Sequence, residues 1–321
     1  MRLALLFSPQ GSQVVGMGRE LAAASPAAAE AFRESDAALG WEVSRLAWEG
    51  PEEELNDTRQ TQPCLVATSV ACFRALEAEL EARDERLAPT FVAGHSVGEY
   101  AALVAAGAIS IRDAVRLVAR RGALMAEAGV SGGMLAVIGL DRPGVAEVVS
   151  AMRAGEDLVV ANDNAPGQVV ISGTPSALAA AAQPLRAAGA KRTIALRVSG
   201  PFHSPHMAGI GAELGRELLN ADWQDADPPV VSNVTAEPVS DAGEIRILLA
   251  RQVHSPVEWV SSVRRMASEG VDTFVECGPG GALTGMVRRI VPGARTLSVS
   301  DPASLAETVQ ALAHRSVRVP A

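Results

Sequence analysis

The feature that most narrows what this chain can fold into is the segment Gly94-His95-Ser96-Val97-Gly98, which matches the G-x-S-x-G pattern. It follows an apolar run at Thr90–Ala93 that reads as a strand, and it opens a helical pattern over roughly 97–107. Two glycines allow the chain to turn sharply from strand to helix, which exposes the serine hydroxyl and aims the N–H groups of the helix start at a developing oxyanion. The plainer alternative is a serine that only caps a helix. A strand–turn–helix of this kind belongs to an α/β architecture, and the rest of the chain agrees. Strand-like runs at 3–7, 90–94, 134–139, 158–161, 168–172, 193–198, 229–232 and 273–276 alternate with helical patterns, which points to parallel strands. The Ala-rich stretches 22–31 and 177–190 read as helices.

One stretch reads as a unit of its own. Met134–Gly139 is a strand, 142–153 a helix, and Leu158–Ala161 and Gln168–Ser172 are strands joined by the Asn162–Gly167 turn. A helix at 175–188 and a strand at 193–198 complete the order βαββαβ of a split βαβ, ferredoxin-like unit. Its glycine- and proline-rich flanks are hinges, so an insert at 130–198 interrupts a larger body made of 1–129 and 199–321.

Several classes are excluded by composition. Apolar runs such as Leu3–Phe7 and Leu65–Val70 are far shorter than a membrane span requires. The N-terminal run is also too short for a signal peptide, so it reads as a buried first strand, and a cytoplasmic protein is expected. Cys64, Cys72 and Cys277 are widely spaced and lack any CxxC pairing, which argues for free buried thiols rather than disulfides or zinc. The net charge of −9 argues against a broad nucleic-acid surface. It would also repel an acidic partner, so any such partner must meet a local cationic patch.

A serine nucleophile needs a base. Of the five histidines, His95, His203, His206, His254 and His314, His95 adjoins Ser96 and points away from it, and His314 lies in a polar tail. His203 and His206 share the Pro-fixed loop Gly200-Pro201-Phe202-His203-Ser204-Pro205-His206. Their H-x-x-H spacing lacks a companion cluster of metal ligands, so no metal site is expected. On chemistry alone, either of the two could be the base, or both could be structural.

Taken in order along the chain, these segments resemble the malonyl-CoA:acyl carrier protein transacylase family, which includes the acyltransferases of polyketide synthases. The likeness runs from Gln10-Gly11-Ser12-Gln13 through Gly94-His95-Ser96-Val97-Gly98-Glu99-Tyr100, Arg121-Gly122, Gln168–Gly173, Pro201-Phe202-His203-Ser204-Pro205 and Arg251-Gln252 to Gly278-Pro279-Gly280. The resemblance implies an α/β-hydrolase-like body with a ferredoxin-like insert. It implies Ser96 as nucleophile, His203 as base and Gln252 holding the imidazole through its main-chain carbonyl. The N–H groups of Gln10 and Val97 would form the oxyanion hole, and Arg121 would grip the acyl carboxylate through its planar fork. An aromatic residue at Phe202 accompanies malonyl in related enzymes. The implied reaction moves malonyl from malonyl-CoA, a substrate, to a phosphopantetheinylated acyl carrier protein, with no bound cofactor and no metal. Arg186, Lys191 and Arg192 are candidates for the docking surface. In one respect the chain departs from the family, which usually has Pro-Gly where this chain has Ser8-Pro9. Proline fixes φ and removes an N–H, so this loop is expected to be rebuilt. A serine thioesterase would instead need an acid between Ser96 and His203 in chain order, where Asp141, Asp157 and Asp163 lie. The same chemistry with another carboxyacyl donor, or a non-catalytic carrier-protein binder, are the remaining readings.

Overall fold

The computed structural model describes residues 2–152 and 157–313, so His314 lies outside the described residues. Among the described residues ten strands form two sheets: β1 Leu3–Phe7, β2 Phe91–Gly94, β3 Gly133–Ile138, β4 Leu158–Ala165, β5 Gln168–Gly173, β6 Arg192–Ala195, β7 Val230–Val231, β8 Pro238–Val239, β9 Thr273–Cys277 and β10 Arg295–Val299. The six-stranded sheet has the order β10-β9-β1-β2-β7-β8. Its pairs are parallel, except at the edge, where β8 runs antiparallel to β7.

β1 lies at the centre because its residues are apolar on both faces. Leu3, Leu5 and Phe7 enter one core with the buried Thr58–Glu81 helix, while Ala4 and Leu6 enter a second with Trp259 and Phe274. Successive side chains of a strand point to opposite faces, so a sheet covered by helices on both sides needs such continuous apolar runs. The chain is an α/β protein with an α/β-hydrolase-like body and a smaller second sheet.

That second sheet has four strands in the order β4-β5-β3-β6, all its pairs antiparallel. The helices Arg142–Ala151 and Pro175–Ala187 join its strands, which gives βαββαβ. Its own apolar core includes Val137, Val145, Leu158, Ile171 and Leu185.

Three local readings are corrected. The segment 22–31 is two helices, Arg19–Ala24 and Pro26–Leu39. Ser25 is extended between them and its hydroxyl accepts from Ala28 N, while Pro26 at the first helical position starts the second. β4 does not stop at Ala161 but continues to Ala165, with register shifts along its pairing to β5. Those extra residues are paid for by the body: Asn162 bridges Val257 in parallel, and Asp163 N donates to Val257 O. β8 and β10 were not expected.

Candidate active site

Ser96 sits on the turn between β2 and the Gly98–Ala105 helix, with φ 53°, in the left-handed region. Such strain in a non-glycine residue persists only where surroundings over-determine it, and here they do. A Cβ on Gly94 would lie 2.0 Å from the Gly98 carbonyl carbon, and one on Gly98 would lie 2.2 Å from Phe7 O. Both glycines are therefore required by close backbone approach. Asn233, beyond β7, clasps the turn: its Oδ1 accepts from Ser96 N at 2.6 Å and its Nδ2 donates to Gly94 O at 2.6 Å.

His203 reaches Ser96 and His206 does not. Ser96 Oγ is 2.8 Å from His203 Nε2, whereas His206 Nε2 lies 3.9 Å from Asp157 Oδ1. His203 also has a positive φ, 57°, and its N–H is held by Val253 O. Its Nδ1 faces two carbonyl oxygens, Gln252 O at 2.9 Å and Ser255 O at 3.2 Å. Nδ1 therefore carries the hydrogen, and Nε2 is free to accept the serine proton. Gln252 ends the Ala242–Gln252 helix, where carbonyls are left without helical partners. Among the described residues no carboxylate contacts His203; Asp163 turns instead to Arg142. Burial, then the Arg121 charge, pushes His203 down to about 3, so the ring is neutral at rest.

Arg121, in the Ile111–Glu127 helix, is 1% exposed. Its Nη1 donates to Gln62 Oε1 at 2.7 Å, and its Nη2 donates to Gln252 Oε1 and to Ser96 Oγ, both at 3.0 Å. Its Nε is buried with no hydrogen-bond partner, and among the described residues it makes no ion pair. The Gln10 and Val97 N–H groups likewise carry no hydrogen bond among the described residues. Val97 precedes the first residue of its helix, so its N–H belongs to the unfilled helix start.

The Ser8-Pro9 loop is held without positive φ at either residue; Gly11 takes the left-handed position at φ 98°. Buried Ser8 donates its hydroxyl to Glu276 Oε1 and Pro279 O. Beside this loop a cleft of about 830 Å³ is lined by Gln10, Gln13, Glu53, Asn56, Leu196 and Arg197. Phe202 is buried in the main core next to His203, its ring against Gly200. His95 turns away from the serine: its Nε2 lies 2.8 Å from Asn164 Oδ1 in β4 and its ring tilts against Trp259. Arg186, in the Pro175–Ala187 helix, and Lys191 and Arg192, at the start of the edge strand β6, are exposed. Sequence reasoning missed Asn233, Gln62 and Asn164; only Asn233, in the polar Ser232-Asn233 step after an apolar pair, left a local trace.

A family model described as acyl transferase domain matches residues 4–310. The chain belongs to the acyl transferase family. The malonyl CoA-acyl carrier protein transacylase of Bacillus subtilis (strain 168) is 42% identical over 314 residues, spanning 97% of each chain. That of Escherichia coli (strain K12) is 41% identical, over 96% of this chain and 99% of its own. A solved malonyl-transacylase, in complex with its type II PKS acyl-carrier protein, superposes with a TM-score of 0.91 at 40% identity, covering 97% of this chain and 100% of that one. Among the described residues of this acyl transferase family member no helix is long and apolar enough to cross a membrane, and no group of three or more acidic, histidine or cysteine side chains could hold a metal.

Proposed function

We propose that this chain is a malonyl-CoA:acyl carrier protein transacylase, moving malonyl from coenzyme A to the phosphopantetheine thiol of a carrier protein in the cytoplasm, for fatty-acid or polyketide synthesis. The observation that carries the choice of acyl group is Arg121: a buried guanidinium, without an ion pair among the described residues, 3.0 Å from the nucleophile. A buried cation is costly unless paired, and a planar fork suits a carboxylate. A malonyl carboxylate supplies that pair; acetyl does not.

The chemistry follows in two halves. Ser96 Oγ attacks the thioester carbonyl while its proton passes to His203 Nε2. The N–H groups of Gln10 and Val97 receive the oxyanion. The C–S bond breaks, coenzyme A leaves with the proton from His203, and malonyl remains as an ester on Ser96. The carrier thiol then gives its proton to His203 and attacks the ester, and Ser96 recovers a proton as it leaves. The Gln252 and Ser255 carbonyls support the transient imidazolium, a part that a carboxylate fills in hydrolases. We place the pantetheine arm in the cleft beside Gln10, Phe202 near the acyl α-carbon, and residues 130–198 as an insert in a body formed by 1–129 and 199–321.

The test is intact mass after brief incubation with malonyl-CoA or acetyl-CoA. A malonyl adduct absent in Ser96→Ala is expected. Release of free malonate without any adduct or transfer to a carrier thiol would overturn the reading in favour of a hydrolase.

A further inference from the structure

One buried carboxyl group touches the site without entering the scheme above. Glu99 is 4% exposed, three residues beyond Ser96, on the Gly98–Ala105 helix. Its Oε2 accepts from Gln252 Nε2 at 2.6 Å and from Asn233 N at 3.3 Å. Gln252 Nε2 also donates to Ser96 O at 3.1 Å. The opposite end of the same amide, Oε1, accepts from Arg121 Nη2. Gln252 thus uses its main-chain oxygen on His203 and its side chain on Arg121.

A glutamine side chain has a donor end and an acceptor end, and its neighbours decide which faces where. Inverted, the Gln252 amide would set its NH2 against the guanidinium, donor to donor, and its oxygen against the Ser96 carbonyl. We infer that Glu99 is a positioning residue: its acceptor oxygen fixes the donor end of Gln252, so that the acceptor end holds Arg121 with Nη2 on Ser96 Oγ. The inference rests on Arg121 as the carboxylate anchor proposed above, and it makes Glu99 a determinant of acyl selectivity. A carboxyacyl donor depends on where the guanidinium stands; a neutral acyl donor does not. An apolar residue at position 99 would avoid the cost of burying a carboxyl group, so stability alone gives no reason for it. Burial raises Glu99 to about 7, against the opposing effect of the Gln252 and Asn233 bonds and the Arg121 charge. Positioning does not require ionisation, because a protonated carboxyl retains an acceptor oxygen.

The experiment is single-turnover loading of Ser96 from malonyl-CoA and from acetyl-CoA, followed by intact mass, in the parent, Glu99→Met and Glu99→Gln. Loss of a hydrogen-bonded charged anchor predicts that Glu99→Met loads malonyl about 10- to 100-fold more slowly, with acetyl changed by less than about threefold. Glu99→Gln, whose carbonyl oxygen can accept the same bond, restores malonyl loading to within about threefold of the parent. Equal losses for the two donors, no loss in Glu99→Met, or a Gln variant as impaired as Met would each overturn the inference. Should Glu99→Met not fold, Gln252→Met removes the same contact from its other side and keeps the main-chain carbonyl on His203. It must show the same drop in malonyl-over-acetyl selectivity, and an unchanged selectivity overturns the inference. A parent that forms no malonyl adduct fails the transacylase reading itself, a result separate from any of these.

Discussion

Arg121 Nη2 and Ser96 Oγ lie 3.0 Å apart, so a buried cation and the nucleophile share one hydrogen bond. The serine hydroxyl can donate to His203 while it accepts from Arg121, which orders it before any substrate arrives. A substrate carboxylate that takes over the guanidinium also frees an oxygen lone pair for attack. Arg121→Lys keeps the charge but loses the fork, and with it the bonds to Gln62 and Gln252. Loading from malonyl-CoA is expected to fall about 10- to 100-fold in Arg121→Lys and further in Arg121→Ala. Acetyl loading should change far less. Equal losses for both donors in a donor-pair comparison would place Arg121 outside acyl recognition.

The protonation of His203 sets the pH profile. Burial and Arg121 hold it near 3 in the free protein, well below an ordinary histidine, so the neutral form needed to accept the serine proton persists through mildly acidic pH. The kcat/KM for malonyl loading is therefore expected to lack the acid limb near 6.5 that an unperturbed histidine would give, and to stay within about twofold between pH 7.5 and 5.5. Glu99 titrates inside that window without adding a limb, because its acceptor oxygen survives protonation. A clear limb between pH 6 and 7 would show a base more exposed, or less repelled by Arg121, than the structure has it.

Stability, unlike activity, should respond to pH across this range. His203 and His95 are pushed down, to about 3 and about 4, from 6.5, both chiefly by burial. The unfolded chain therefore binds two protons near 6.5 that the native chain refuses, and stability is lost as pH falls below that value. Glu99, raised to about 7 from 4.5, takes a proton in the native chain first, so its contribution grows as pH falls from about 7 to 4.5. Between 6.5 and 4.5 these three groups leave a net excess of one proton on the unfolded chain, a loss of about 1.4 kcal/mol per pH unit. In Glu99→Gln the offset disappears and the slope approaches about 2.7 kcal/mol per unit. Urea midpoints at pH 6.5, 5.5 and 4.5 measure both slopes; equal slopes in parent and variant would remove Glu99 from the balance.

What the sequence made legible is whatever its local pattern determines. The run Leu3–Phe7 announces a strand buried on both faces, and Gly94, Ser96 and Gly98 announce the turn, because close backbone approach admits no other residue at the two glycines. Polar residues whose partners are supplied only by tertiary closure stayed hidden. Gln62 lies in the third position of an unremarkable Gln60-Thr61-Gln62 step, yet it holds Arg121 from the neighbouring helix. β10 escaped because Arg295-Thr296-Leu297-Ser298-Val299 is a half-exposed edge with no apolar run. The extension of β4 through Asn162-Asp163-Asn164 reads as a turn by composition, and only pairing with Val257 makes it extended. His203 could not be separated from His206 by chemistry; a 2.8 Å bond to Ser96 separates them.

Asn233 accounts for the strained turn. Asn233→Ala would leave the Ser96 N–H and the Gly94 carbonyl without their partner and release Ser96 from φ 53°. The expected cost is about 2–4 kcal/mol of stability, with a fall in the rate of acyl-enzyme formation for malonyl and acetyl alike. That donor-independent loss distinguishes it from Glu99→Met. Urea denaturation and single-turnover loading together test it, and a variant of parental stability and rate would show that the glycines alone hold the turn.

Gly122 couples helix packing to the anchor. A Cβ there would lie 2.7 Å from Thr58 O and 3.1 Å from Arg59 Cα, both backbone atoms that cannot rotate away. The Ile111–Glu127 and Thr58–Glu81 helices must separate to admit it, and they carry Arg121 and Gln62, the two ends of a 2.7 Å bond. Thr58 also receives Gln10 Nε2 at 3.3 Å, so the same displacement reaches the oxyanion loop. Alanine gains up to about 1 kcal/mol of helix propensity over glycine, while overpacking against backbone costs about 1–3 kcal/mol, so Gly122→Ala is expected to be destabilising overall. Gly285, in the Ala282–Ile290 helix with nothing within 4 Å of its Cβ position, is the matched control, and alanine there should stabilise. Thermal unfolding of the two variants should shift in opposite directions, and malonyl loading should fall only in Gly122→Ala. Shifts of the same sign would mean that the two helices yield at Gly122 without strain, and that Arg121 is placed by its hydrogen bonds rather than by helix contact.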